Sequence, residues 1–167
     1  MSARLNRRED DERSRCREAP RRAPAFPGAH PEYLELIAGC ASNVKFEAGE
    51  RIAREGAPAE RFYLVRYGRV AVEVYAPGKG PITILTVGEG GVVGWSWLFP
   101  PYRVYNDARA LELTRAVAFD GACLRNKFEH DPRLGYELMK RFSQVVVERL
   151  RGAEMQLLDL YGHERST

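Results

Sequence analysis

The stretch Phe62-Tyr-Leu-Val-Arg-Tyr-Gly-Arg-Val-Ala-Val-Glu-Val-Tyr75 decides how this chain folds. Gly68 divides it. Residues 61–67 form an apolar and aromatic run, and residues 69–75 place Val70, Val72 and Val74 on one strand face. Two such runs parted by a glycine turn predict paired antiparallel strands. Outward from this centre the pattern repeats. Ala48-Gly49-Glu50 is a turn between a strand at residues 43–46 and a short one at 51–55 that runs into Gly56. Pro77-Gly-Lys-Gly-Pro81 is a hairpin loop, answered by a strand at residues 82–87. The last strands fall at residues 108–113 and 115–119. The expected fold is mainly β with flanking helices: an antiparallel, jelly-roll-like β-roll of about eight strands plus a long C-terminal helix.

Helical periodicity brackets the roll. Pro31-Glu-Tyr-Leu-Glu-Leu-Ile-Ala-Gly-Cys40 sets Tyr33, Leu34, Ile37 and Ala38 on one stripe, with a proline start and Gly39 as stop. Asp120 is a carboxylate cap for a short helix at about residues 120–129, and Asp131-Pro132 opens a second at about 131–161, with Gly162 as its stop. Apolar residues recur there at spacings of three and four, further than a small roll can cover alone. Leu138, Phe142, Val145, Val146, Leu150, Ala153 and Leu157 are therefore expected to form a dimer helix joining two copies of the chain.

Composition limits the function. Hydrophobic content of 44% and charge of 29% are ordinary for a soluble protein. No apolar run approaches the roughly 18 residues a membrane span needs. The net charge of +3 sits in the N-terminus, where residues 1–22 hold eight arginines against five acids, leaving 18 basic and 18 acidic residues beyond. Residues 1–30 read as a disordered Arg/Pro-rich arm, residues 31–161 as one domain with its roll at about 43–119, and residues 162–167 as a tail. The arm's acids are interspersed with its arginines, which favours a solvated extension over a nucleic-acid contact. Cys16, Cys40 and Cys123 form no metal-ligand cluster, and an odd thiol count fits a reducing cytoplasm, with Cys40 and Cys123 as small buried residues. His30, His130 and His163 are scattered. No nucleophile–base pair, metal ligand set or phosphate loop is visible, so the chain is expected not to be an enzyme and to hold no metal.

The pattern Phe46-x-Ala-Gly49-Glu50-x-Ile52-x-x-Glu55-Gly56, followed by Phe62-Tyr-Leu-Val-x-x-Gly68-x-Val70-x-Val72, resembles the cyclic-nucleotide-binding domain over about residues 33–160. The resemblance implies a Crp/Fnr-like sensor with a phosphate-binding cassette between two late strands. In that family the cassette begins Gly-Glu and ends with an arginine and a small residue. The glutamate accepts from the ribose 2′-hydroxyl, and the arginine binds the cyclic phosphate.

Gly88-Glu-Gly-Gly-Val-Val-Gly-Trp-Ser-Trp-Leu-Phe99 carries this chain's version of that cassette. Gly94 matches the glycine, but Trp95 stands where glutamate is expected. The arginine position falls on Val104, with Arg103 one place away, and Tyr105 and Asn106 replace the small residue. Losing the hydroxyl acceptor and misplacing the cation would each cost about 1–3 kcal/mol. Together they imply cyclic AMP binding weakened roughly 100-fold or more. Gly94, Trp95, Ser96, Trp97, Arg103, Val104, Tyr105 and Asn106 are the candidate ligand pocket. Its aromatic residues either plug the emptied site as core or line a groove for a less charged ligand. Arg109 and Arg115 are expected on solvent-facing strand positions.

These readings make the chain a non-catalytic, cytoplasmic regulatory or adaptor protein with a degenerate cassette. It is expected to form a homodimer and to act through a protein effector. A cyclic nucleotide is disfavoured as its ligand. One alternative is a working cyclic AMP or cyclic GMP receptor with Arg103 as phosphate ligand. Another is a DNA binder of the Crp/Fnr type. DNA binding is disfavoured by the neutral folded part and by the expectation that no helix-turn-helix follows the long helix.

Overall fold

The computed structural model describes residues 31–164, so the arm expected over residues 1–30 lies outside the described residues. The element order is α1 (Pro31–Ala38), β1 (Ala41–Phe46), β2 (Arg51–Ala53), β3 (Arg61–Tyr67), β4 (Val70–Ala76), β5 (Gly80–Val87) and β6 (Val92–Val93). A 3-10 turn (Trp95–Leu98) follows, then β7 (Asp107–Ala110), β8 (Thr114–Asp120), α2 (Gly121–His130) and α3 (Pro132–Glu164). Eight antiparallel strands form two sheets, ordered β1-β8-β3-β6 and β2-β7-β4-β5. This is the expected β-roll.

The central strands of the first sheet, β3 and β8, are buried on both faces. Phe62 and Leu64 of β3, with Val117 and Phe119 of β8, pack beneath the helices against Ile37, Leu124, Leu134, Leu138, Phe142 and Trp97. Successive residues of a strand point to opposite faces. Val65 of β3 accordingly faces the second sheet, packing with Val70, Val87, Val93 and Ala108. A strand covered on both sides loses polar alternation, which is why residues 61–67 read as a continuous apolar run.

Both caps form as the carboxylates predict. Asp120 accepts from the Cys123 N–H at 2.7 Å, and Asp131 accepts from the N–H groups of Arg133 and Leu134 at 3.0 and 3.2 Å. The helix end differs: α3 passes through Gly162 and continues to Glu164. A glycine costs a helix only about 1 kcal/mol relative to alanine, which is too little to end one of 33 residues.

Two further expectations are corrected. Leu138 and Phe142, assigned above to a dimer seam, are 2% and 5% exposed in the core under the roll. The first three turns of α3 need these residues to cover Phe62 and Trp97, so they serve the chain's own fold. Cys40 and Cys123 are joined in a disulfide across 83 residues of sequence, with Cα atoms 5.8 Å apart. They are not free thiols. Strand register brings them together: β1 pairs with β8 from Ala41 opposite Phe119, and the Asp120 N–H donates to the Cys40 carbonyl at 2.9 Å. Cys123 then follows in the first turn of α2.

Candidate functional site

The cassette lies between β6 and β7. Gly94 takes the left-handed conformation (φ 81°) and starts the 3-10 turn of Trp95-Ser-Trp-Leu98. The turn sends its two tryptophans in different directions. Trp97 is fully buried, stacked on Phe62 and in edge contact with Phe142. Trp95 is half-buried, its ring 6.5 Å from Phe99 and 5.9 Å from Tyr105. Ser96 is buried, and its carbonyl accepts from the Phe99 N–H at 3.4 Å. After a cis Pro100–Pro101 bond, Tyr102 adopts a positive φ of 54°.

The far end of the cassette is stitched to the β2–β3 connection. Ala59 N–H donates to the Tyr102 carbonyl, Gly56 N–H to Val104, and Val104 N–H to Ala57, at 2.8–2.9 Å. Arg103 is exposed and its Nη1 donates to the Gly56 carbonyl at 3.1 Å. The cation one place from the family's arginine position is thus engaged by backbone. Asn106 is half-buried at the approach to β7.

A cavity of about 340 Å³ opens where the cassette meets the long helix. Val92, Trp95, Leu98 and Phe99 line one side, and Met139, Phe142, Ser143 and Val145 to Val147 line the other. Among the described residues no ionisable side chain lines it. Its hydroxyl, Ser143 Oγ, donates to the Met139 carbonyl at 2.8 Å. Of the eight candidate pocket residues only Trp95 reaches this cavity. Trp97 belongs to the core, and Arg103, Val104 and Tyr105 belong to the outer edge of the cassette.

Three arginines have roles that the sequence pattern did not show. Arg125 of α2 donates to the Trp97 carbonyl at 2.7 Å and lies 4.3 Å over the Tyr102 ring. Arg149 of α3 donates to the Val92 carbonyl of β6, and burial holds its guanidinium below the ordinary arginine range. Arg109, expected to face solvent, is half-buried and paired with Glu73, itself 5% exposed on the next strand. That hydrogen bond raises the Arg109 pKa. Arg115 is exposed as expected. Periodicity marks an arginine as a surface residue and is blind to the carbonyl its long stem can reach. Among the described residues no group of three or more His, Cys, Asp or Glu side chains is placed to hold a metal, and no helix is long and apolar enough to cross a membrane.

A two-sheet roll with a helical cassette between its late strands, feeding a short and then a long helix, defines a class of sensor and regulatory domains. The chain belongs to the cyclic nucleotide-binding domain family, whose model matches residues 43–131. It is 27% identical over 139 residues to the CRP-like cAMP-activated global transcriptional regulator of Mycobacterium tuberculosis, covering 83% of this chain and 60% of that one. The chain thus spans about three-fifths of that regulator. A protein from Geobacter metallireducens GS-15 described as cyclic nucleotide-binding has the same fold, with a TM-score of 0.71 and 30% identity over 79% of this chain and 98% of that one. The regulatory subunit of a cAMP-independent protein kinase A from Trypanosoma brucei superimposes with a TM-score of 0.64 at 21% identity, over 80% of this chain and 48% of that one. At that identity the likeness is one of fold.

Proposed function

We propose that this chain is a non-catalytic regulatory or adaptor protein of the cytoplasm whose cassette has lost cyclic nucleotide as its working ligand. It acts as a homodimer through the exposed half of α3, and its output is contact with a protein effector. The observation that carries this reading is the chemistry of the cassette. Trp95 stands in the place of the hydroxyl acceptor, Arg103 is turned to the Gly56 carbonyl, and the adjoining cavity is lined by apolar side chains and one hydroxyl, Ser143, whose proton is given to the Met139 carbonyl. An anion brought there would lose its water and gain no paired charge. The same fold serves the regulatory subunit of a protein kinase A that is described as cAMP-independent. A small apolar molecule fits the cavity between cassette and long helix better than a nucleotide does.

The Mycobacterium tuberculosis relative, named as cAMP-activated, favours the competing reading of a working receptor. Titration with cyclic AMP and cyclic GMP, followed by tryptophan fluorescence and melting temperature, separates the two. Trp95 is the reporter, since Trp97 is in the core. No saturable change up to millimolar nucleotide supports the reading proposed here. Saturation at micromolar nucleotide with a rising melting temperature overturns it.

A further inference from the structure

We propose that the Cys40–Cys123 disulfide is a reversible redox staple that sets how α2 grips the cassette, so that the domain responds to thiol–disulfide exchange with a dithiol reductant. This inference is independent of which ligand, if any, the cassette takes.

Helix α2 is held from two sides. Toward the cassette, Gly121 N–H donates to the Glu60 carbonyl at 2.7 Å, and a Cβ on Gly121 would lie only 3.0 Å from Trp97 Cβ. Arg125 binds the Trp97 carbonyl and covers Tyr102, and the Phe128 ring is 6.0 Å from the Trp97 ring. Residues 121, 125 and 128 share one helical face. Cys123 lies two residues from both Gly121 and Arg125, on the other side of the helix, and is bonded there to Cys40 after α1. Phe128 also packs against α3, where a Cβ on Gly135 would come within 3.2 Å of Phe128 Cβ. The staple therefore ties the segment after α1 to a helix that also meets the cassette and the long helix.

Exchange has a defined order. Cys40 is 7% exposed and Cys123 is half-buried, which favours the Cys123 sulfur over the Cys40 sulfur as the point of attack for an incoming thiolate. Its attack forms a mixed disulfide at Cys123 and breaks the Cys40–Cys123 bond. The electron pair leaves on the Cys40 sulfur, which takes a proton from solvent. The second thiol of the reductant then attacks the mixed disulfide and leaves as the oxidised dithiol, and Cys123 is protonated in turn. In sum, one dithiol and one protein disulfide give one small disulfide and two protein thiols. Glutathione disulfide drives the return. With the cytoplasmic placement proposed above, on which this step rests, a disulfide is expected to be transient and redox-sensing, which fits a staple placed on a regulatory element better than one placed for bulk stability.

The test uses the full chain carrying C16S and W95F, which leaves this cysteine pair and a single tryptophan, Trp97. Thiols are counted by alkylation and mass after incubation with glutathione disulfide and again after dithiothreitol. The expected result is no labelled thiol, then two. Reduction should also produce a change in the Trp97 near-ultraviolet dichroism and a fall in melting temperature of about 5 °C or more, both reversed by reoxidation. The C40S/C123S variant should show neither response. Because the reduced parent reports the same change, the test holds even if that variant folds poorly. Two free thiols after glutathione disulfide would overturn the proposal. So would a disulfide whose reduction leaves the Trp97 signal unchanged, which makes it an inert crosslink.

Discussion

The Trp97 indole lies 5.0 Å from the Phe62 ring and within 13° of parallel to it, in the centre of the core rather than in a ligand site. Of the two uses open to the cassette's tryptophans, filling the core is the one Trp97 takes. Its Nε1 is buried with no hydrogen-bond partner among the described residues, so its worth lies in ring packing alone. Trp97→Ala is expected to cost about 3–5 kcal/mol through the cavity it leaves. Trp97→Phe should cost much less, since it keeps an aromatic ring and removes an unpaired donor. Urea unfolding of both variants checks the order; equal losses would contradict it.

The apolar stripe of α3 divides by function. Its first part, with Leu134, Leu138 and Phe142, is spent on the roll, whereas Leu150 and Leu157 are 58% and 53% exposed. Leu150→Asp is expected to leave the melting temperature of the isolated fold within a few degrees and to shift the chain from dimer to monomer in sedimentation equilibrium. Phe142→Ala should instead destabilise the fold itself by about 3–5 kcal/mol. A chain that is monomeric before any substitution would remove the seam.

What the sequence made legible was what short-range physics dictates. Strand period, glycine turns and the carboxylate caps at Asp120 and Asp131 each act within a few residues, and the caps and most strands appear where expected. The strands expected at 51–55 and 108–113 end at Ala53 and Ala110, and a register shift after Val72 breaks the Val70, Val72, Val74 alternation and buries Glu73. The Cys40–Cys123 bond was invisible because it depends on the β1–β8 register, a pairing across some 80 residues that spacing alone does not encode. Arg125 and Arg149 escaped for a related reason, since their partners are backbone carbonyls supplied by distant elements. Trp95 and Trp97 are two residues apart with the same side chain, and the 3-10 turn alone sends one toward the core and the other toward the cavity.

Tyr63 gives the fold an alkaline limit. Its ring meets Phe46 edge-on at 5.6 Å and packs toward the core between the sheets. Burial raises its pKa above the ordinary value of 10.0, outweighing the lowering by Arg61. The native state therefore holds this proton where the unfolded chain has released it. The resulting stability is complete below pH 10.0 and is lost as pH rises through the folded value. Tyr63→Phe is expected to flatten the fall of melting temperature as pH rises above 10.0. An unchanged alkaline slope would show that another group sets it.

Arg103 decides between the two readings of the cassette. Its guanidinium is exposed and bonded to the Gly56 carbonyl, so Arg103→Ala is expected to change stability by no more than about 0.5 kcal/mol. It should also leave any weak nucleotide response where it was. The family's contacts can instead be rebuilt at the positions that lost them. Trp95→Glu returns the hydroxyl acceptor and Val104→Arg returns the cation. Two restored charge-assisted contacts of about 1–3 kcal/mol each predict that W95E/V104R binds cyclic AMP roughly 100-fold more tightly than the parent. Calorimetric titration of the parent, R103A and W95E/V104R gives the answer. Should R103A alone abolish micromolar binding, Arg103 is the phosphate ligand and the cassette is live.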